Sequence, residues 1–335
     1  MALKFLGDDG GRKGFDFRNG FAYQMVPAGG ATRSLGIMTD HSDWIMAPNT
    51  DKADDGTPLS GPQTFAIAKL SPETEALGGA GDTFRLPANT PARFRFTGGM
   101  AGQFEYKLQP VNKHTAPVRL KISVLPRVAI QYHAFVLKSD AKLFASVNTD
   151  EMIKQFETAE AAYKDQCNVD LQRQGDAGHR GRITPLRSNF NLGSPIILSE
   201  MWERLKVEIE LNQPLDQQWM LKVIATWNVI SGEKKTRNNK WIDDAVGVAY
   251  VGNNVCFCQF ELGRPGAPQA PEWTTIAHEI GHTMGLKHTE KANAHDNIMF
   301  NGNMGAGVSN RFTWYQIEKL NGTFARKLRP EWFDL

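Results

Sequence analysis

The chain has 335 residues, of which 41% are hydrophobic and 22% are charged, a balance typical of a folded globular protein and not of a disordered one. Its net charge is +2, and the densest basic stretch, residues 232–240, is typical of a solvated loop, so we expect no nucleic-acid partner. No stretch approaches the roughly 18 apolar residues that a membrane helix requires, so we expect no membrane partner either.

The density of glycine and proline changes near Pro126. Residues 1–126 contain 16 glycines and 10 prolines, whereas the longer remainder, residues 127–335, contains 15 and 7. Since these residues concentrate where a chain turns, the change in density predicts two domains with a boundary at this proline.

The first domain, residues 1–126, shows the two-residue alternation of half-buried strands. Apolar side chains recur on one face at Phe94 and Phe96, at Phe104, Tyr106 and Leu108, and at Val118, Leu120, Ile122 and Val124. Polar residues occupy the other face, and no segment has a convincing helical period. We predict an all-β, sandwich-like accessory domain.

The second domain begins with an almost unbroken apolar run, residues 127–137, which predicts a strand buried on both faces. Residues 148–168 predict a helix, with Asn148 and Glu151 as a capping pair. Its buried stripe would consist of Met152, Phe156, Ala159 and Tyr163. Residues 217–229 fit either a helix or a strand, with a preference for a helix at their start.

The later part of the second domain adds further strands and a last helix. Residues 246–260 predict one or two strands around a Gly-Asn-Asn turn. Residues 312–322 predict a helix that Thr313 and Gln316 cap at its start and that Gly322 stops. Together these elements indicate an α+β domain.

The cysteines do not indicate a disulfide framework. There are three of them, an odd number, and Cys256 and Cys258 lie two residues apart on a predicted strand. Side chains at that spacing share one face and cannot easily bridge each other. We interpret Cys167, Cys256 and Cys258 as reduced, semi-buried thiols.

The most informative stretch is TTIAHEIGHTMGLKH, residues 274–288. On a helix, its apolar residues together with Trp273 cluster on one side, whereas His278 and His282, four residues apart, lie on the opposite side. This placement argues against histidines packed into the core. It leaves a metal site, or a pair of solvent-exposed histidines, as the alternatives.

The residue types favour the metal site. Two imidazoles one helical turn apart can bind one ion, and Glu279 is turned towards the same flank, near enough to act on a bound water. Gly285 is suited to end the helix in a left-handed conformation, so that the chain reverses and His288 supplies a third ligand. Three neutral histidines with an open fourth position, as His278, His282 and His288 would provide, are typical of catalytic Zn²⁺.

The pattern His-Glu-x-x-His-x-x-Gly-x-x-His resembles the extended motif of the metzincins, zinc endopeptidases that also have a methionine turn beneath the metal. Met299, 11 residues after His288, matches the methionine of that turn, although it could also be an ordinary core residue. Residues 246–252 resemble the strand before the active-site helix of adamalysins, and residues 311–322 resemble their closing helix. The resemblance implies a zincin-type α+β domain with a mixed sheet, an active-site helix and a C-terminal helix, in which Glu279 is the general base.

Some positions depart from the subfamilies. Thr289 follows the third histidine where adamalysins carry Asp, and the matrixins are closer there. Asn301 stands where astacins and serralysins place a tyrosine, so no tyrosine role is carried over. The remaining histidines, which we interpret as outside the site, are His295 in a polar loop and the isolated His41, His114, His133 and His179.

The sequence therefore predicts a zinc-dependent endopeptidase, a hydrolase that acts on a protein or peptide substrate, and we expect a monomer. The substrate would lie extended along an edge strand, for which residues 253–260 are the candidate. The alternative is a catalytically silent, zinc-stabilised binding or adhesion module. Residues 1–17 lack the apolar stretch of a signal peptide, so we expect either export from a bacterial cell by a non-classical route, as an effector, or action in the cytoplasm.

Overall fold

The computed structural model describes residues 3–7, 13–52, 54–71, 83–112, 115–138, 149–174, 183–187, 196–197, 220–226, 229–230, 247–249, 254–259, 261–262, 268–269, 272–289, 296–300 and 310–323. These residues are mostly in β-sheets, with three helices among them and with both parallel and antiparallel pairing. None of the described helices is long and apolar enough to cross a membrane.

The internal contacts of the chain group it into two units. The first consists of Met1–Val128, Asp165–Val169 and Arg311–Asn321. The second consists of Ala129–Lys164, Asp170–Asn310 and Gly322–Leu335. The domain limits drawn from the sequence, 1–126 and 127–335, concern independent folding and remain a prediction.

The described part of the first unit contains ten strands, which form two sheets. They are β1 (Leu3–Gly7), β2 (Phe15–Arg18), β3 (Phe21–Pro27), β4 (Thr32–Thr39), β5 (Trp44–Pro48), β6 (Phe65–Ser71), β7 (Phe84–Leu86), β8 (Ala92–Gly98), β9 (Gly102–Pro110) and β10 (Val118–Leu125). One sheet has the order β1-β4-β8-β6 and the other β2-β3-β10-β9-β5-β7. Neighbouring strands are antiparallel except β3 and β10, which run parallel.

The two sheets share one hydrophobic core. The Phe65 ring of β6 packs edge-on against Phe96 in its own sheet and against Phe104 in the other, with ring centroids 5.7 and 5.8 Å apart. The predicted alternation is confirmed on β8, where buried residues alternate with exposed Arg93 and Arg95. Every residue of the predicted apolar faces is buried except Val118, which is half-buried.

The last described helix, α3 (Trp314–Thr323), has the predicted capping box. The Thr313 N–H donates to Gln316 Oε1 at 2.8 Å, and the Gln316 N–H points back to Thr313 Oγ1 at 3.4 Å. The predicted stop is wrong, because the helix continues through Gly322 to Thr323. A glycine inside a helix lowers its stability without ending it when the flanking residues keep helical hydrogen bonds.

The second unit contains the other described strands and two helices. The strands are β11 (Val128–Lys138), β12 (Val169–Gln174), β13 (Ile183–Arg187), β14 (Ile196–Ile197), β15 (Leu221–Thr226), β16 (Val229–Ile230), β17 (Gly247–Ala249), β18 (Val255–Gln259), β19 (Glu261–Leu262) and β20 (Pro268–Gln269). The helices are α1 (Thr149–Cys167) and α2 (Trp273–Thr283). Three short pieces of these elements belong to the first unit by their contacts, namely Val128 of β11, residues 165–167 of α1 and Val169 of β12.

The main sheet of this unit has the order β12-β11-β15-β18-β17 and is mixed. Strand β11 is parallel to β15, which is parallel to β18, whereas β17 is antiparallel to β18. Residues 132–136 of β11 are all buried, as predicted for a strand covered on both faces. Residues 221–226 are strand β15, and the helix preferred at residues 217–219 lies outside the described residues.

The predicted edge strand is wrong. Residues 255–259 form β18, which lies between β15 and β17, so its backbone already pairs on both sides. Within the described sheet, β17 lies at the edge next to β18, and β12 lies at the other edge. Because the sequence shows two similar apolar segments around one turn, it could not indicate which of them lies outside.

Helix α1 agrees with its prediction, and all four residues of its predicted stripe are buried. The capping role proposed for Asn148 lies outside the described residues. The three cysteines are free and buried, so no disulfide joins them.

Candidate metal centre

Helix α2 is held in place by α1. The Gln155 side-chain oxygen accepts the N–H of Trp273, 2.9 Å away, at the first turn of α2, where helical N–H groups have no partner within the helix. The Tyr163 hydroxyl donates to the Ala277 carbonyl at 2.8 Å, next to the first histidine of the motif. These two contacts fix the position and rotation of α2.

The end of α2 turns sharply, as the sequence predicts. Gly285 has a φ of +85°, in the left-handed region that glycine adopts without steric cost. Its N–H donates to the His282 carbonyl at 2.8 Å, and the Leu286 N–H donates to the Gly281 carbonyl at 2.9 Å. This pair of bonds is the Schellman motif, which reverses the chain and leads it to His288.

The three histidines of the motif converge on one point. The Nε2 atom of His282 lies 3.0 Å from that of His278 and 2.9 Å from that of His288. The remaining pair, His288 and His278, is 3.2 Å apart. Among the described residues, this is the group of side chains that could hold a metal ion.

The other ring nitrogens determine which tautomer is present. His278 Nδ1 lies 2.7 Å from the Ile298 carbonyl, and His282 Nδ1 lies 2.8 Å from the Leu286 carbonyl. A carbonyl oxygen only accepts, so both Nδ1 atoms carry the proton and both Nε2 atoms present a lone pair to the common point. Lone pairs that face each other at about 3 Å repel unless a cation lies between them.

The spacing fits a metal ion with tetrahedral ligands. Two nitrogens at about 2.1 Å from such an ion are separated by roughly 3.4 Å. The observed separations of 2.9 to 3.2 Å are slightly shorter, so a small outward movement of the rings would give room for the ion. The residues present therefore fit a divalent metal.

Burial keeps the helical histidines neutral. It lowers the pKa of His278 to about 3, with a further contribution from the neighbouring His282. Burial also lowers the pKa of His282 below its ordinary value. Neutral imidazole is the form that binds metals, and these two side chains hold that form near neutral pH.

The burial of His278 and His282 differs from what the helical period suggested. The helical period placed His278 and His282 away from the core, but only 9% and 6% of their surfaces are exposed. The side of α2 opposite its apolar residues is covered as well, so a pair of solvent-exposed histidines is excluded. His288 remains exposed, which leaves the group accessible from its side.

Glu279 is a buried carboxyl group with an unsatisfied atom. It is 4% exposed, and its Oε2 has no hydrogen-bond partner among the described residues. Burial raises the pKa of Glu279 to about 8. A buried acceptor without a partner costs free energy, and such groups are concentrated where a substrate, ion or water completes the site.

Met299 lies against α2, in the turn of residues 296–300. The backbone carbonyls of this turn also bond to the His278 ring and to the segment that follows His288. A Cβ atom added to Gly281 would be 2.5 Å from the Met299 sulfur, so the absence of a side chain at this glycine permits the close approach. The Thr289 N–H, one residue after His288, donates to the Met299 carbonyl at 2.7 Å. The role of Met299 as a methionine turn beneath a metal remains a prediction.

Asn297 stabilises this turn, and the sequence reasoning missed it. It is fully buried, and its side-chain oxygen accepts the N–H of Met299 at 2.8 Å. The following carbonyl, that of Ile298, holds the His278 ring. The signal was present in DNIMF, since an asparagine two residues before a turn position commonly makes this bond.

The histidines set aside from the site are not brought into it where the structure describes them. His133 is buried on β11 and stacks on Phe135, and His41 is exposed in the first unit. His114, His179 and His295 lie outside the described residues, as does Asn301.

Comparison with known proteins gives only distant structural similarity. No protein-family model and no curated protein matches the sequence. The structure of archaemetzincin from Methanopyrus kandleri is similar over 60% of this chain and 91% of that chain, with 8% identity and a TM-score of 0.33.

Other solved structures resemble parts of the chain at lower TM-scores. WR4, an MSP family member from C. elegans, covers 30% of this chain and 91% of its own, with 9% identity and a TM-score of 0.20. A family 123 glycoside hydrolase from Clostridium perfringens covers 68% of this chain and 48% of its own, with 8% identity and a TM-score of 0.21. At these TM-scores the similarities define neither fold nor function, and the histidine cluster is the feature of the chain that bears on its chemistry.

Proposed function

We propose that the chain is a zinc-dependent endopeptidase of the metzincin type, with a two-domain architecture of a β-sandwich and a zincin-like α+β domain. The observation that carries the proposal is the convergence of the His278, His282 and His288 Nε2 atoms, together with the buried carboxyl group of Glu279, the residue that follows His278 on the same helix. Hydrolysis of an amide by a metal-activated water requires these parts, namely an open metal site and a base.

Zinc is the ion that the donor set favours. Imidazole nitrogen suits Zn²⁺, and three protein ligands with an open fourth position are typical of catalytic zinc. When bound there, zinc would activate a water molecule and polarise the substrate carbonyl. The three histidines would hold it, and the Ile298 and Leu286 carbonyls would orient the His278 and His282 rings.

Glu279 would transfer the protons of the reaction. As a carboxylate it accepts a proton from the attacking water, and it then donates that proton to the leaving amine. Burial opposes the ionised form of Glu279, which is why its pKa rises to about 8. A divalent cation held by the two adjacent helical histidines favours the ionised form, so metal binding would prepare the base.

A peptide substrate would pair with β17, which is the edge strand of the described sheet that contacts α2. An edge strand presents unpaired backbone N–H and C=O groups, which bind an extended peptide by strand addition. The same pairing is largely independent of side chains, so the edge supplies affinity for peptides in general.

The test is to measure bound zinc and the cleavage of a mixed peptide library for the wild-type protein and for Glu279→Gln. The substitution preserves the size of the side chain and removes the base. We expect Glu279→Gln to retain one zinc per chain and to lower kcat by about 10²- to 10⁴-fold. His282→Ala is the matched control, and it should lose both zinc and cleavage.

Two results would contradict the proposal. Zinc bound stoichiometrically with no cleavage that depends on Glu279 would favour the alternative, a catalytically silent binding or adhesion module. If the wild-type protein fails to bind zinc and His282→Ala behaves in the same way, the proposed metal centre is wrong.

A further inference from the structure

Glycine 247 lies where strand β17 meets the side chain of Glu279. A Cβ atom added at this position would be 2.5 Å from Glu279 Oε1, 2.6 Å from its Cγ and 2.7 Å from its Cδ. Real Cβ atoms essentially never come this close to another heavy atom. Gly247 therefore allows the backbone of the edge strand to contact the carboxyl group directly.

The backbone conformation does not require a glycine at this position. Gly247 is absent from the residues with positive φ, whereas Gly285 is among them. It lies within an ordinary antiparallel pair, opposite Cys258 on β18. An alanine would fit this backbone, so the reason for a glycine is the space that Glu279 occupies.

The helix that carries Glu279 is not free to move away from the strand. Its first turn is bonded to Gln155, its middle to Tyr163, and its first histidine to the Ile298 carbonyl. The part able to give way is the Glu279 side chain, which can rotate about its own bonds. A methyl group at position 247 would therefore displace the carboxyl group and leave the helix and histidines in place.

Building on the proposed function, we propose that Gly247 is a positioning residue for the general base. The bare backbone of β17 supports one side of the Glu279 side chain and restricts it to one orientation, with its unpartnered Oε2 available to the reacting water. Pre-orientation of a catalytic group contributes to the rate because a displacement of about 1 Å can lower it by about 10²-fold.

The proposal predicts a specific interaction between positions 247 and 279. Glu279→Ala removes Cγ, Cδ and Oε1, the three atoms that the added methyl group would meet. Gly247→Ala should therefore lower the thermal midpoint in the wild-type background and have little effect in the Glu279→Ala background. This double-mutant cycle needs no catalytic activity and can be measured on the full chain with and without zinc.

The kinetic test uses the same variants. We expect Gly247→Ala to keep one zinc per chain and to lower kcat by roughly 10- to 100-fold with a smaller change in KM. In the Glu279→Ala background the same substitution should leave the residual rate unchanged. Gly322→Ala is the matched control, because a Cβ atom there would meet nothing within 4 Å, and it should keep wild-type kcat.

The two proposals fail in different ways. Equal shifts of the thermal midpoint in both backgrounds, a wild-type kcat for Gly247→Ala, or loss of zinc from this variant would each overturn the positioning role. Absence of cleavage by the wild-type protein would instead overturn the peptidase, and the stability cycle would still decide whether Gly247 supports Glu279.

Discussion

At the scale of single residues, the site depends on groups whose partners are remote in the sequence. Asn297 holds the Met299 backbone, and the carbonyl between them orients His278. Neither contact follows from the spacing of the histidines, although that spacing correctly identified His278, His282 and His288 as side chains that meet. The sequence indicated the three histidines as candidate ligands, and the contacts that orient them became visible only in the structure.

We expect Asn297→Ala to weaken zinc binding by about 10-fold, since groups that orient metal ligands typically contribute 10- to 100-fold to affinity. The substitution leaves the buried Met299 N–H without its acceptor and so releases the turn that holds His278. Competition with a chromogenic chelator measures the affinity. Asn297→Asp retains an acceptor oxygen and should bind zinc more tightly than the alanine variant; equal weakening in both would contradict this role.

At the scale of elements, α2 and its reversal agree with the sequence because both depend on local interactions. A four-residue spacing always stacks side chains on a helix, and Gly285 adopts the conformation that ends it. The surroundings of α2 do not follow from local rules. Its predicted outer face is buried, and β17, not β18, lies at an edge of the described sheet.

Gly285→Ala should lower the free energy of unfolding by roughly 1–2 kcal/mol, because alanine is strained in the left-handed region. It should also weaken zinc binding, since the Schellman turn leads the chain to His288. Gly20→Ala is the matched control: its φ is +77°, and an added Cβ atom would meet nothing within 4 Å. The control should lose similar stability and keep wild-type zinc affinity, and loss of zinc from it would contradict the argument.

At the scale of the whole molecule, the histidine cluster connects segments of the second unit that are well separated in the chain. The three histidines lie on α2 and in the segment after it. Residues 296–300 support them, and β17 contacts Glu279. A metal that binds only the folded arrangement stabilises all of these segments together. The first unit has its own core and contributes none of the three histidines.

We expect zinc to raise the thermal midpoint and EDTA to lower it. At a free zinc concentration 100 times Kd, zinc should stabilise the folded state by about 2.7 kcal/mol. Hydrogen exchange should show the added protection in residues 272–289 and 296–300, and not in the strands of the first unit. His282→Ala should respond to neither reagent. Uniform protection of both units, or an unchanged midpoint, would contradict a localised metal centre.

The sequence by itself determined the features that depend on neighbours along the chain. These are the alternating strands of the first unit, the capping box of α3, the placement of His278 and His282 on one side of α2, and the glycine at which α2 ends. The tertiary structure decided which strand is the edge, which carbonyls orient the imidazoles, and why position 247 has no side chain. The physical reason is that periodicity and turn propensity act over a few residues, whereas burial and close approach depend on segments that only folding brings together.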